Sequence, residues 1–165
     1  MPMTLIRAIE QTFCKLHAPT LEQLKEALHS IERHLLFVPD FKTEPSQLPY
    51  GRNVVFSSPE LEVIVIHIPA SRSTAIHNHG LSIGAAYLVS GSLVNSTFSL
   101  DTEGFPVAQK DDFIQAGEYF TAPADQIHQL SNPFHEPAIS LHVYTPPLRE
   151  VRRYLPYSEV LDYVI

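Results

Sequence analysis

Over the first 38 residues the apolar positions recur at helical spacing. Leu5, Ile6, Ile9, Phe13 and Leu16 form one stripe, and Leu21, Leu24, Leu28, Ile31 and Leu35 form a second. Pro19-Thr20 with Gln23 three residues on resembles a capping box and marks the start of the second helix. From Pro39 to Pro49 prolines and polar residues predict a long irregular connection, beyond which the period changes from about 3.6 to 2. Short alternating segments then follow at 53–56, 61–68, 74–79, 84–89, 92–100, 112–115, 119–122, 128–131 and 138–144, separated by Gly, Pro, Asn or Ser. Many short strands at close spacing predict an all-β fold, an antiparallel sandwich or barrel, with the amphipathic helices packed on its outside.

At 165 residues the chain is the size of one domain, able to bury a sizeable core without disulfides. The formal charge of −7, with 18 acidic and 11 basic residues and no Lys/Arg cluster, provides no electrostatic footprint for nucleic acid or an anionic membrane. A small soluble substrate fits better. Cys14 is the single cysteine, which excludes an intramolecular disulfide and a Cys-rich zinc cluster and fits a reducing compartment. The N-terminal residues do not read as a signal peptide. The most apolar run, 61–68, is too short to span a bilayer and is interrupted by Glu62 and His67. The expectation is a soluble, cytoplasmic protein.

The candidate chemistry lies in His77-Asn78-His79 and His128. Two histidines at i and i+2 on a strand point the same way. A third imidazole from another strand closes a three-nitrogen face on one metal ion and leaves the opposite positions open for substrate and oxygen. In the segment 138–144, alternation puts Ile139, Leu141 and Val143 on one face and Ser140, His142 and Tyr144 on the other. The polar trio can line a wet interior or form an outward polar face; alternation does not choose between them.

The spacing around these residues resembles the two motifs of the cupin superfamily, small β-barrels that bind a metal inside. The second motif runs from Gly117 through Pro123-Ala124-Asp125 to His128 and Asn132, with Asp125 where cupins usually carry Gly. In the first, ending at Gly91, Ser71 replaces the opening Gly and Gly84 replaces the usual metal-binding Glu. An all-nitrogen site contributes no negative charge, so the substrate must supply the anionic ligand. A thiolate does so well, since a metal lowers a thiol pKa from its usual value of roughly 8.5.

Four separated motifs narrow the resemblance to the cysteine dioxygenases, in their bacterial branch: Tyr50-Gly51-Arg52-Asn53, His77-Asn78-His79, Gly80-Leu81-Ser82-Ile83-Gly84, and the run from His135 to Pro147. The resemblance implies one cupin domain over 1–165, with a helical segment at 1–38 and a metal-binding barrel at 50–148. It implies that His77, His79 and His128 bind Fe(II) and that Arg52 clamps the substrate carboxylate through its planar fork, assisted by Tyr50. It also implies that Ser140, His142 and Tyr144 form a relay directed at substrate and oxygen. In animal members a cysteine crosslinks to the equivalent tyrosine; its position here is Gly84, so no crosslink is expected. The family has a non-trans X-Pro bond, and the sequence leaves open whether the Pro146-Pro147 stretch includes it.

The implied activity is that of an oxidoreductase, a non-haem iron dioxygenase of cysteine metabolism converting L-cysteine and O2 to cysteine sulfinic acid. Alternatives are a sibling acting on 3-mercaptopropionate or another small thiol, a non-catalytic metal-binding cupin, and a zinc or nickel enzyme. Relatives preferring 3-mercaptopropionate tend to carry glutamine in place of the arginine, so Arg52 favours cysteine. Residue by residue, blander roles stand beside these: a surface arginine for Arg52, core aromatics for Tyr50 and Tyr144. His17, His29, His34, His67 and His135 are read as structural or solvent-facing.

Overall fold

Hydroxyl side chains open both main helices by accepting backbone N–H groups that have no intrahelical partner. In the computed structural model, which describes residues 3–157, Thr4 Oγ1 accepts from the Arg7 N–H at 3.3 Å ahead of α1, Leu5–Phe13. The capping box at the start of α2, Leu21–Ser30, is complete: Thr20 Oγ1 accepts from the Gln23 N–H at 3.2 Å, and Gln23 Oε1 accepts from the Thr20 N–H at 2.9 Å. The second stripe does not continue as one helix to Leu35. The Ser30 hydroxyl bonds back to the Ala27 carbonyl, Ile31 leaves helical geometry (φ −111°, ψ 16°), and a short α3, Glu32–Leu35, resumes beyond it. A 3-10 turn, Val38–Phe41, starts the connection expected to be irregular. No helix among the described residues is long and apolar enough to cross a membrane.

The strands are β1 Gly51–Ser57, β2 Glu62–Ile68, β3 Arg72–Ser73, β4 Ile76–His77, β5 Ile83–Ser90, β6 Ser92–Leu100, β7 Pro106–Gln115, β8 Tyr119–Ala122, β9 Ile127–Asn132, β10 Ala138–Thr145 and β11 Arg153–Tyr154. Four differ from expectation, the first being β3, which lies outside the expected set and is held by its pairing with β9. Segment 74–79 is not one strand: only Ile76 and His77 pair, and His79 follows in a turn. β7 reaches back to Pro106 because it zips against β6 in a hairpin whose polar, exposed residues hide the alternation. β11, outside the expected set, is held by its pairing with β4.

The strands form two antiparallel sheets, β1-β2-β10-β5-β8 and β11-β4-β9-β6-β7, with β3 on β9. They face each other as a cupin jelly roll; the barrel is flattened into two sheets and its hydrogen bonds do not close one ring. Two apolar layers result. Leu5, Ile9 and Phe13 of α1 and Leu24 and Leu28 of α2 pack on Val63, Val65, Ile139, Leu141 and Val143. The opposite face of the same strands, with Ile64, Ile66 and Tyr144, meets Leu93, Ile114 and Leu130 of the second sheet. β2 and β10 are therefore buried on both sides. Burial places Ser140, His142 and Tyr144 inward and resolves the choice that alternation left open.

Two of the three departures from the cupin motifs, those at glycine positions, keep the motifs' backbone shape. Ser71 and Asp125 stand where glycine is usual, and both have φ of 64°, the left-handed conformation that Asp tolerates better than most residues and that is uncommon for Ser. A cis peptide bond joins Thr145 to Pro146, a point the sequence left open.

Candidate metal centre and substrate cavity

His77 and His128 are direct cross-strand partners between β4 and β9, so their side chains leave the sheet on the same side. His79 joins them through a turn rather than through strand alternation. Asn78, between the two histidines, ties that turn to the chain's far end: its N–H donates to Arg152 O (3.0 Å), its Oδ1 accepts from the Arg152 N–H (2.9 Å) and the Gly80 N–H (3.2 Å), and its Nδ2 donates to Tyr154 Oη (3.3 Å). Ring centroids of the three histidines lie 4.7 to 5.0 Å apart, and one nitrogen from each falls within 4.8 Å of the others. Among the described residues this is the only group with metal-ligand spacing, and it has no acidic member.

The hydrogen bonds on the outer ring nitrogens assign the inner ones. His77 Nδ1–H donates to Ala75 O at 2.8 Å, and His128 Nδ1–H donates to Asn95 Oδ1 at 2.9 Å. Each neutral ring then turns an Nε2 lone pair inward. His128 Nε2 lies 3.1 Å from His79 Nε2, while the buried Nδ1 of His79 has no partner. Burial, above all, lowers the pKa of all three rings, that of His79 to about 3, and the neighbouring imidazoles lower those of His79 and His128 further. Neutral imidazoles crowded together with converging lone pairs fit a late first-row cation.

A cavity of about 360 Å³ opens on this cluster and is also lined by Tyr50, Arg52, Ile64, Ile66, His142 and Tyr144. All eight site residues expected from the sequence are thus gathered at one place: seven line the cavity, and Ser140 lies behind His142. Ser140 Oγ is 2.7 Å from His142 Nε2, and His142 Nδ1 is 3.1 Å from Tyr144 Oη. Tyr144 stacks on His79, with centroids 5.1 Å apart. Burial pushes the His142 pKa down to about 3 and the Tyr144 phenol well up, so the pair is a neutral imidazole and an un-ionised phenol.

Residues 15–156 match the family described as cysteine dioxygenase type I. The chain belongs to the cysteine dioxygenase type I family. The matched residues include all three histidines of the cluster. Solved structures show the fold alone. A Klebsiella pneumoniae protein, described as an uncharacterized conserved protein with a double-stranded β-helix domain, is 21% identical over 72% of this chain and 94% of its own, with a TM-score of 0.60. A Thermus thermophilus protein is 18% identical over 67% and 94%, with a TM-score of 0.56. A recombinant oxalate oxidase in complex with glycolate is 12% identical over 74% and 68%, with a TM-score of 0.53.

Several residues around the cavity escaped the sequence reading. Asn95 orients His128; Arg149, Glu150, Val151 and Arg153 line the cavity; Glu62 reaches Arg52. In sequence they stand in unremarkable positions, and their roles depend on partners that only the fold brings to them. His67 is structural, as expected: buried in β2, its Nδ1 meets Thr43 O at 3.1 Å and pins the connection before β1.

Proposed function

We propose that this chain is a non-haem iron thiol dioxygenase that oxidises L-cysteine with O2 to cysteine sulfinic acid, with both oxygen atoms ending on sulfur. The observation that carries the reading is one cavity shared by three neutral imidazoles, an arginine and a buried serine-histidine-tyrosine chain. A ferrous ion held by His77, His79 and His128 would supply redox capacity and open positions at which thiol and O2 meet.

The protein's own groups bind and orient. Arg52 makes no side-chain hydrogen bond among the described residues, so its fork is available to a carboxylate, with Tyr50 beside it on the same wall. In the Nδ1–H tautomer of His142, the Ser140 hydroxyl donates to His142 Nε2 and His142 Nδ1–H donates to Tyr144 Oη. The phenolic proton of Tyr144 is then left to donate to a ligand in the cavity. Because ligand imidazoles are neutral, an anionic thiolate adds the only negative charge to the metal's immediate surroundings. Exposed Cys14 as the single cysteine agrees with a cytoplasmic setting, and the match over 15–156 with one functional domain.

A second reading keeps the chemistry with 3-mercaptopropionate as substrate: it carries the same thiol and carboxylate, and Arg153, a further guanidinium on the cavity wall directly across the sheet from His77, offers that carboxylate a second anchor. Oxygen uptake by protein loaded anaerobically with Fe(II) separates the two. Cysteine sulfinate formed with one O2 consumed per product is the expected result. A preference for 3-mercaptopropionate would overturn the substrate assignment, and no uptake with either thiol despite bound iron would overturn the dioxygenase reading.

A further inference from the structure

Glu62 is a buried acidic residue that the chemistry above leaves unused. It opens β2, a strand whose other residues are apolar apart from His67. A buried carboxylate is costly unless it is paired and hydrogen-bonded. Its cross-strand partner is Tyr144, so its side chain emerges on the same inner face as the relay. One of its oxygens, Oε1, has two partners from opposite sides. It accepts from the Leu148 N–H at 3.0 Å and lies 3.7 Å from Nη2 of Arg52.

The two partners belong to different parts of the cavity wall. Arg52 sits on β1 opposite Ile66, so its guanidinium reaches along the sheet face to approach Glu62. Leu148 begins the run of lining residues that continues through Arg149, Glu150 and Val151. The strap leading to it is pinned by Thr145 Oγ1 donating to Glu60 O (2.8 Å) and Ser82 Oγ donating to Pro146 O (2.7 Å). The Glu62 bond to Leu148 is the last of these pins before the strap crosses the cavity.

We propose that Glu62 is the positioning residue of the carboxylate subsite: one buried oxygen holds the Arg52 guanidinium at the cavity wall and fixes the strap beside it. At 3.7 Å the contact is an ion pair longer than a hydrogen bond, so Glu62 restrains Arg52 without consuming the donors a ligand carboxylate needs. The inference rests on the reading of Arg52 as the carboxylate anchor. It adds that the anchor's precision comes from a residue that need not touch the ligand.

The test is a double-mutant cycle on the metal-loaded protein, with anaerobic calorimetric binding of L-cysteine and of cysteamine, which lacks the carboxylate. E62Q keeps an acceptor for the Leu148 N–H and removes the charge. It should weaken L-cysteine on the order of tenfold relative to cysteamine in the wild-type background, and less than about twofold in the R52Q background. In steady state the same variant should raise KM for L-cysteine more than it lowers kcat. Melting temperature monitors folding, and E62D, which retains the charge on a shorter arm, should fall between wild type and E62Q. An equal loss for both thiols, or an E62Q effect undiminished in R52Q, would overturn the role of Glu62. If R52Q leaves the preference for L-cysteine over cysteamine intact, the carboxylate-anchor reading itself fails.

Discussion

Gly84 and Tyr144 are direct cross-strand partners, and a β-carbon on Gly84 would stand 2.6 Å from both Cδ1 and Cε1 of the Tyr144 ring. The residue missing its side chain makes room for the phenol that stacks on His79. Gly84→Ala should displace that ring or strain β5 and β10, destabilising the fold by about 1–3 kcal/mol. Melting temperature and turnover should fall together; an unchanged melting temperature would show that the ring has room to move aside. Because position 84 offers no sulfur and Cys14 is exposed at the end of α1, the intact mass should equal that of the uncrosslinked chain.

His128 lies deepest of the three candidate ligands, and among the described residues the one side chain outside the cluster that hydrogen-bonds to it is Asn95. His128→Ala should abolish stoichiometric metal binding, measured by elemental analysis after anaerobic loading. Asn95→Ala should leave the three nitrogens in place but weaken metal affinity by roughly 10–100-fold, since an outer hydrogen bond fixes the tautomer of a ligand imidazole. Retained iron in His128→Ala would remove that residue from the ligand set.

Tyr144→Phe removes the end of the relay while preserving the ring's packing. His142 Nδ1 loses its partner in a fully buried setting, at a cost of about 1–3 kcal/mol. Metal content should be unchanged and turnover should drop sharply. Wild-type turnover in Tyr144→Phe would show that the phenol only packs.

The metal-free protein should lose stability in mild acid. His77, His79, His128 and His142 all have folded-state pKa values below the usual histidine value, chiefly through burial. Their contribution is fully present above about pH 6.5. As pH falls below that, the unfolded chain takes up protons that the folded chain refuses. For His79 and His142 the loss continues until about pH 3, where the folded state accepts them. Each ring that stays neutral costs about 1.4 kcal/mol per pH unit over that window. Urea midpoints of metal-free protein should therefore fall between about pH 7.5 and pH 5.5, and a flat profile would contradict neutral, buried rings.

The three ligand candidates were legible because imidazoles at this spacing, followed by the motif around His128, are unusual in themselves. Strand alternation does not explain His79, which converges through the turn that Asn78 anchors on Arg152 and Tyr154. Asn95 and Glu62 were not legible. The hydrogen-bond partners, His128 for Asn95 and Leu148 for Glu62, lie 33 and 86 residues away, the approach of Arg52 to Glu62 depends on how β1 pairs with β2, and nothing local distinguishes a buried hydrogen-bonding Asn or Glu from a solvated one. The break at Ile31 was likewise hidden, because the apolar stripe continues across it while Ser30 bonds back to Ala27.

Period-two alternation in β10 determined that Ser140, His142 and Tyr144 share one face and Ile139, Leu141 and Val143 the other. It could not determine which face is the interior, because β10 is buried on both sides and each face has a partner layer to satisfy it. Only the tertiary arrangement decided that. Helices α1 and α2 cover the purely apolar face, and the second sheet closes over the polar one, turning three alternating side chains into a wall of the metal cavity.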